Sequence, residues 1–138
     1  YLAVLGDLAA TATMTGARDH ASVLYELLSP YPEYFSVGIA FHVHASIAHL
    51  LGNLAAFLDE PVRAADYLLQ GIDSTRRFGA RTCLVYNLLD AARLFGQSGP
   101  THDRARSRQL LAEATQLAEA LGMHPAHGLA MQLHSELQ

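Results

Sequence analysis

Residues 41–79, FHVHASIAHLLGNLAAFLDEPVRAADYLLQGIDSTRRFG, decide how the whole chain is read. In the first part Phe41, Ile47, Ala48, Leu51, Ala55 and Leu58 recur at three- and four-residue steps, the spacing of one buried helical face. Glu60-Pro61 then opens a second helix, because proline in the first turn sacrifices no hydrogen bond and its fixed φ suits the helix. Ala64, Leu68 and Ile72 carry the apolar stripe on to Phe78, and Gly79 can adopt the left-handed conformation that closes a helix. Arg76 and Arg77 fall in the last turn, where cations suit the helix dipole. The stretch therefore predicts a helical hairpin.

The same plan recurs along the 138 residues. An offset of 43 aligns Leu8, Leu51 and Leu94, then Ala21, Ala64 and Ser107, then Tyr25, Leu68 and Leu111, then Phe35, Phe78 and Leu121, and it continues through Ala40, Cys83 and Ala126. Small residues fall on small and large apolar ones on large, as stacked helices require. Three units follow, about residues 1–36, 37–79 and 80–122, with a capping helix over about 125–137. In the first unit Pro30 and Pro32 stop the helix and leave SPYPEYFS as an ordered turn. In the third, the longer inner loop GQSGPTH is offset by a shorter first helix, and Gly122 ends the second. No segment alternates at period two for long enough to argue a strand. The expectation is an all-α single domain.

Composition agrees and excludes several functions. Half the residues are hydrophobic and 16% are charged, the profile of a helical globular protein. The formal charge is −4 and the nine basic residues are all arginine, so no broad positive face exists for a phosphate backbone and direct nucleic-acid binding is not expected. No apolar run approaches the roughly 18 residues of a membrane span, and Cys83 alone cannot form an internal disulfide, so a cytoplasmic setting is expected. The chain opens on YLAVLGDLAA without an initiator Met or signal region, which reads as part of a larger polypeptide.

Leu51-Gly52, followed by Ala64, Leu68 and Gly71, together with Gly16, Ala21 and Tyr25 in the first unit and Leu88, Ser107, Leu111 and Ala114 in the third, resembles the tetratricopeptide repeat (TPR) motif. The period is longer than the usual ~34 residues of that family, and tryptophan is absent. GARTCLVYNLLDAARLF followed by DRARSRQLLAEATQLAEALGM is similar to the long-period TPR arrays of large bacterial transcriptional regulators that carry an ATPase module and a cyclase or DNA-binding domain. The likeness is fullest over residues 45–123. It implies a right-handed α-solenoid whose role is protein interaction or signal reception, with a protein or peptide partner that includes other domains of the same polypeptide.

Stacked hairpins leave a concave surface lined by the first helix of each pair. In the TPR register the groove-facing positions are Gly6 and Ala10, then His49 and Asn53, then Tyr86, Asp90 and Arg93. The competing expectation is that Asp90 and Arg93 merely pair on a solvated face, contributing about 0.3–0.5 kcal/mol. Two other functional classes stay open: a small-molecule or peptide sensor closing around His49, Tyr86 and Arg93, and a metal-dependent helical enzyme using His42, His49, His124 and His127. Self-association through an exposed end face is a further option.

The histidines argue weakly for metal. His42 and His49 lie about 20° apart on one helical face but roughly 10.5 Å apart along its axis, too far for one tetrahedral ion, and His44 points elsewhere. Pro125 disfavours helical geometry at His124, and His134 is two turns from His127. No metal site or cofactor is expected. Nor is a catalytic constellation: GQSG lacks a following Lys, Cys83 reads as a small packing residue, and Arg104, Arg106 and Arg108 read as solvated surface beside Asp103.

Overall fold

A computed structural model describes residues 1–37 and 43–138, with Val43 and His44 described only in their backbone. Among these residues the chain is mostly helical, with seven helices and one short hairpin of strands: α1 (Leu2–Thr15), α2 (Arg18–Leu28), β1 (Phe35–Val37), β2 (Val43–Ser46), α3 (Ile47–Phe57), α4 (Pro61–Phe78), α5 (Arg81–Gly96), α6 (Arg104–Ala120) and α7 (His124–Glu136). Ala40, Phe41 and His42, to which the sequence assigns repeat, packing and metal-ligand roles, lie outside the described residues.

The helix boundaries follow local chemistry. Pro61 occupies the first turn of α4, and the helix ends on Gly79 at φ 81°, left-handed backbone that a side chain would strain. The Ser46 hydroxyl caps α3 by accepting a hydrogen bond from the His49 N–H at 3.0 Å, and Asp103 caps α6 through the Arg106 N–H at 2.9 Å. Helices α2, α4 and α6 begin at residues 18, 61 and 104, and α5 and α7 at 81 and 124, so these starts keep a 43-residue step. The small residues Ala21, Ala64 and Ser107, which the offset aligns, are all buried, and the Ser107 hydroxyl donates to the Ala92 carbonyl at 2.7 Å.

Four local expectations are corrected. Strand does occur: β1 and β2 pair antiparallel, Phe35 opposite Ser46 and Ser36 opposite Ala45, in a hairpin of three- and four-residue strands too short to show alternation in sequence. In consequence α3 begins at Ile47 and has 11 residues, so the first helix of the third unit, α5 with 16, is the longer of the two. His124 is helical after all, since Pro125 falls within the first turn of α7, where proline is tolerated. Phe35 and Phe78, aligned as repeat equivalents, instead stack on each other with ring centroids 4.5 Å apart.

Each helix packs on the next in sequence, and α1 meets α3, α3 meets α5, and α5 meets α7. Two apolar cores result. One joins α1, α2 and α3 through Leu5, Leu24, Leu28, Leu51 and Leu54; the other joins α3 to α7 through Leu68, Leu88, Leu111, Ala118 and Leu133. Arg76 of α4 pairs with Glu113 of α6.

Candidate functional site

The side chains on α3 and α5 that the sequence places in one groove converge on a single carboxylate. His49 and Asn53 stand one turn apart on α3, while Asp90 and Arg93 stand one turn apart on α5. The His49 Nε2–H donates to Asp90 Oδ2 at 2.7 Å, and Asn53 Nδ2 donates to the same oxygen at 2.9 Å. Arg93 reaches the other oxygen, Oδ1, at 3.2 Å. A carboxylate only accepts, so this geometry puts the imidazole proton on Nε2.

The environment is uneven. His49 is 7% exposed, and 26% of the Asp90 side chain and 48% of the Arg93 side chain face solvent. Burial by itself pushes the Asp90 carboxyl upward, but the hydrogen bond and charge of His49, the Asn53 amide and the Arg93 charge outweigh it, and the group is held below its ordinary value of 3.8. Asp90 is therefore an ionised hub that accepts three hydrogen bonds, and the cluster ties α3 to α5 across 41 residues of sequence.

Above the hub opens a groove of about 370 Å³ lined by Asn53, Asp90, Arg93 and Gln97, with Thr13 and Met14 from α1. Three of the five groove residues expected on α3 and α5, Asn53, Asp90 and Arg93, thus line it. His49 supports them from beneath. Tyr86 stands one turn before Asp90, is 42% exposed, and makes no hydrogen bond to the cluster among the described residues. In α1 the register is corrected: Gly6 is buried under Ser36 and Leu50, so closely that an added Cβ would lie 2.9 Å from the Ser36 Oγ, and Thr13 and Met14 form that wall instead. The hairpin, invisible to periodicity, and Leu50 of α3 together cover Gly6.

Behind the cluster the packing is tight and partly unsatisfied. Gly71 of α4 faces the start of α3, and a Cβ there would come within 2.6 Å of Asn87 Nδ2 and 3.0 Å of the His49 N and Ser46 Oγ. Asn87 is fully buried and, among the described residues, neither of its amide atoms has a hydrogen-bond partner; the Thr75 hydroxyl is likewise buried without one there. Sequence reading passed over Asn87 because its position on α5 looks like any other core site.

The remaining candidates stay dispersed. Among the described residues no three His, Cys, Asp or Glu side chains are grouped to hold a metal ion. His127 pairs with Glu119 at 3.0 Å, and His134 lies 3.1 Å from the Gln138 amide, so these rings serve different neighbours. Burial pushes the Cys83 thiol up, away from the thiolate that nucleophilic chemistry needs, with hydrogen bonds only partly opposing it. The arginine run is less free than expected: Arg104 reaches the Leu137 and Gln138 carbonyls at 3.2 Å, and Arg106 lies 5.1 Å over the Phe95 ring.

The chain matches no protein-family model, no curated protein and no solved structure. The resemblance to tetratricopeptide arrays accordingly rests on the residues quoted above. Among the described residues no helix is long and apolar enough to cross a membrane.

Proposed function

We propose that the chain is a non-catalytic interaction module of TPR-like helical hairpins, wound as a right-handed solenoid, which receives a protein or peptide segment in the groove between α1, α3 and α5. The observation that carries the reading is the groove itself: three helices from three successive units line one trough over a charge cluster already fixed in place. His49 and Asn53 hold Asp90, Asp90 holds one arm of Arg93, and the half-exposed remainder of that guanidinium is presented to an incoming carbonyl or carboxylate. Met14, almost wholly exposed, adds an adaptable apolar contact at the rim. Preorganised donors of this kind reduce the ordering cost of binding. The wider setting, a signal-receiving part of a bacterial transcriptional regulator, is drawn from the resemblance over residues 45–123.

Selection of peptides from a random library, followed by calorimetric titration against Arg93→Ala and Met14→Ala, tests the proposal. Selected peptides that lose tenfold or more in affinity on both variants support it; peptides that bind both variants as well as the parent refute it. A second reading, a small-molecule sensor, is favoured by the groove volume of about 370 Å³, within the usual size of ligand pockets. Native mass spectrometry of the purified chain separates the two, since a retained small mass displaced by Arg93→Ala belongs to the sensor alone.

A further inference from the structure

A second cavity among the described residues lies away from that groove. It is a cleft of about 460 Å³ between α6 and α7, with Ala112 and Thr115 on one wall, Met131 on the other, and Arg108, Glu119 and His134 at the rim. Met131 is 52% exposed.

One step earlier in the fold the equivalent cleft is filled. Because α4 and α6, and α5 and α7, are each offset by 43 residues, Thr115, Met131 and His134 correspond to Ile72, Leu88 and Ala91. All three of those residues are buried, in the core that α6 completes with Leu111, Ala114 and Ala118. Glu119 likewise corresponds to Arg76, and Arg76 is ion-paired to Glu113 of α6. The chain thus shows what covers a cleft of this shape and where the flanking charge of that covering element stands.

From this we infer that the α6–α7 cleft is a docking site for one further amphipathic α-helix, its apolar stripe seated as that of α6 is on α5 and its charged flank turned to α6 as Glu113 is turned to Arg76 of α4. Its buried stripe carries a large residue followed by small ones, as Leu111, Ala114 and Ala118 do on α6. Its flank carries a basic residue where α6 has Glu113, because the wall now offers Glu119, paired to His127 of α7 but 64% exposed, in place of Arg76. Helix-in-groove recognition of this type reads apolar anchors at helical spacing, with flanking charges setting specificity. The surface is distinct from the α1–α3–α5 groove, so the two sites are tested independently.

The test uses two fluorescent peptides titrated into the full chain by polarisation. One has the sequence of residues 103–122, DRARSRQLLAEATQLAEALG, and the other carries Glu113→Arg. The charge-reversed peptide is expected to bind at least fivefold more tightly, to lose at least tenfold against Met131→Arg or Ala112→Arg, and to lose its advantage over the first peptide against Glu119→Arg. Arg93→Ala should leave its binding unchanged. Both Arg variants sit at exposed positions, so circular dichroism should find them folded. Absence of binding by either peptide at millimolar concentration, or binding indifferent to Met131→Arg and Ala112→Arg, overturns the proposal. So does sedimentation showing a dimer of the chain that Met131→Arg dissolves, since a second copy would then be the occupant.

Discussion

Removing the acceptor from the α3–α5 cluster by Asp90→Asn should cost far more than the loss of a surface ion pair. The reason is position: His49 is 7% exposed and three-quarters of the Asp90 side chain is covered, so the imidazole N–H loses its charged acceptor in a place water scarcely reaches. A hydrogen bond to a charged group contributes about 1.5–3 kcal/mol, whereas an exposed pair contributes roughly 0.2–1 kcal/mol. The Arg93 contact belongs with the second kind, because that side chain is half in solvent. A double-mutant cycle of His49→Ala and Asp90→Asn, measured by urea unfolding with circular dichroism, should therefore return a coupling of about 2 kcal/mol. The pH dependence has a defined sign. The folded chain holds the Asp90 carboxyl below its ordinary 3.8, so its stabilisation is present above that value and is lost as pH falls through the folded value. The gap between parent and Asp90→Asn should narrow once pH drops below about 3.8. A coupling under about 0.5 kcal/mol, or a gap unchanged at pH 3, would show that the cluster is a solvated pairing and not a preorganised floor.

Other substitutions probe the same region. Gly71→Ala should destabilise by about 1–3 kcal/mol in urea unfolding, because the new Cβ meets the His49 backbone as well as the Asn87 amide. Ser46→Ala removes the cap that accepts the His49 N–H and should cost about 1 kcal/mol, with hydrogen exchange accelerated in the first turn of α3. Thr75→Val deletes a buried hydroxyl that has no partner and should raise the denaturation midpoint by an amount worth about 1 kcal/mol; a fall of that size would mean the hydroxyl is satisfied after all. Arg93→Ala should change stability by no more than about 0.5 kcal/mol while lowering peptide affinity about tenfold or more, separating a binding role from a structural one.

The helix over Glu60 to Gly79 was readable in sequence because its signals are local: a proline in the first turn, a stripe at helical spacing and a glycine at the stop each act within a few residues. The 43-residue step was readable for a related reason, since stacked helices repeat the same contacts and so repeat small residues such as Ala21, Ala64 and Ser107. That reasoning also brought His49, Asn53, Asp90 and Arg93 onto the same side of neighbouring helices. It could not say that they share one carboxylate, because the distance between α3 and α5 depends on the close approach of α4 at Gly71 and on the side chains packed beneath. Tyr86 was grouped with them by the same spacing, yet the structure leaves it a turn away from the hub. The β1–β2 hairpin was hidden in a few residues of strand, and its packing over Gly6 moved the α1 wall of the groove to Thr13 and Met14. Local capping and periodicity are written in neighbouring residues and determine which segments are helices and which faces are apolar. Which polar groups meet, and which cleft stays open, is decided by contacts between residues some 40 positions apart, and those exist only once the helices are packed.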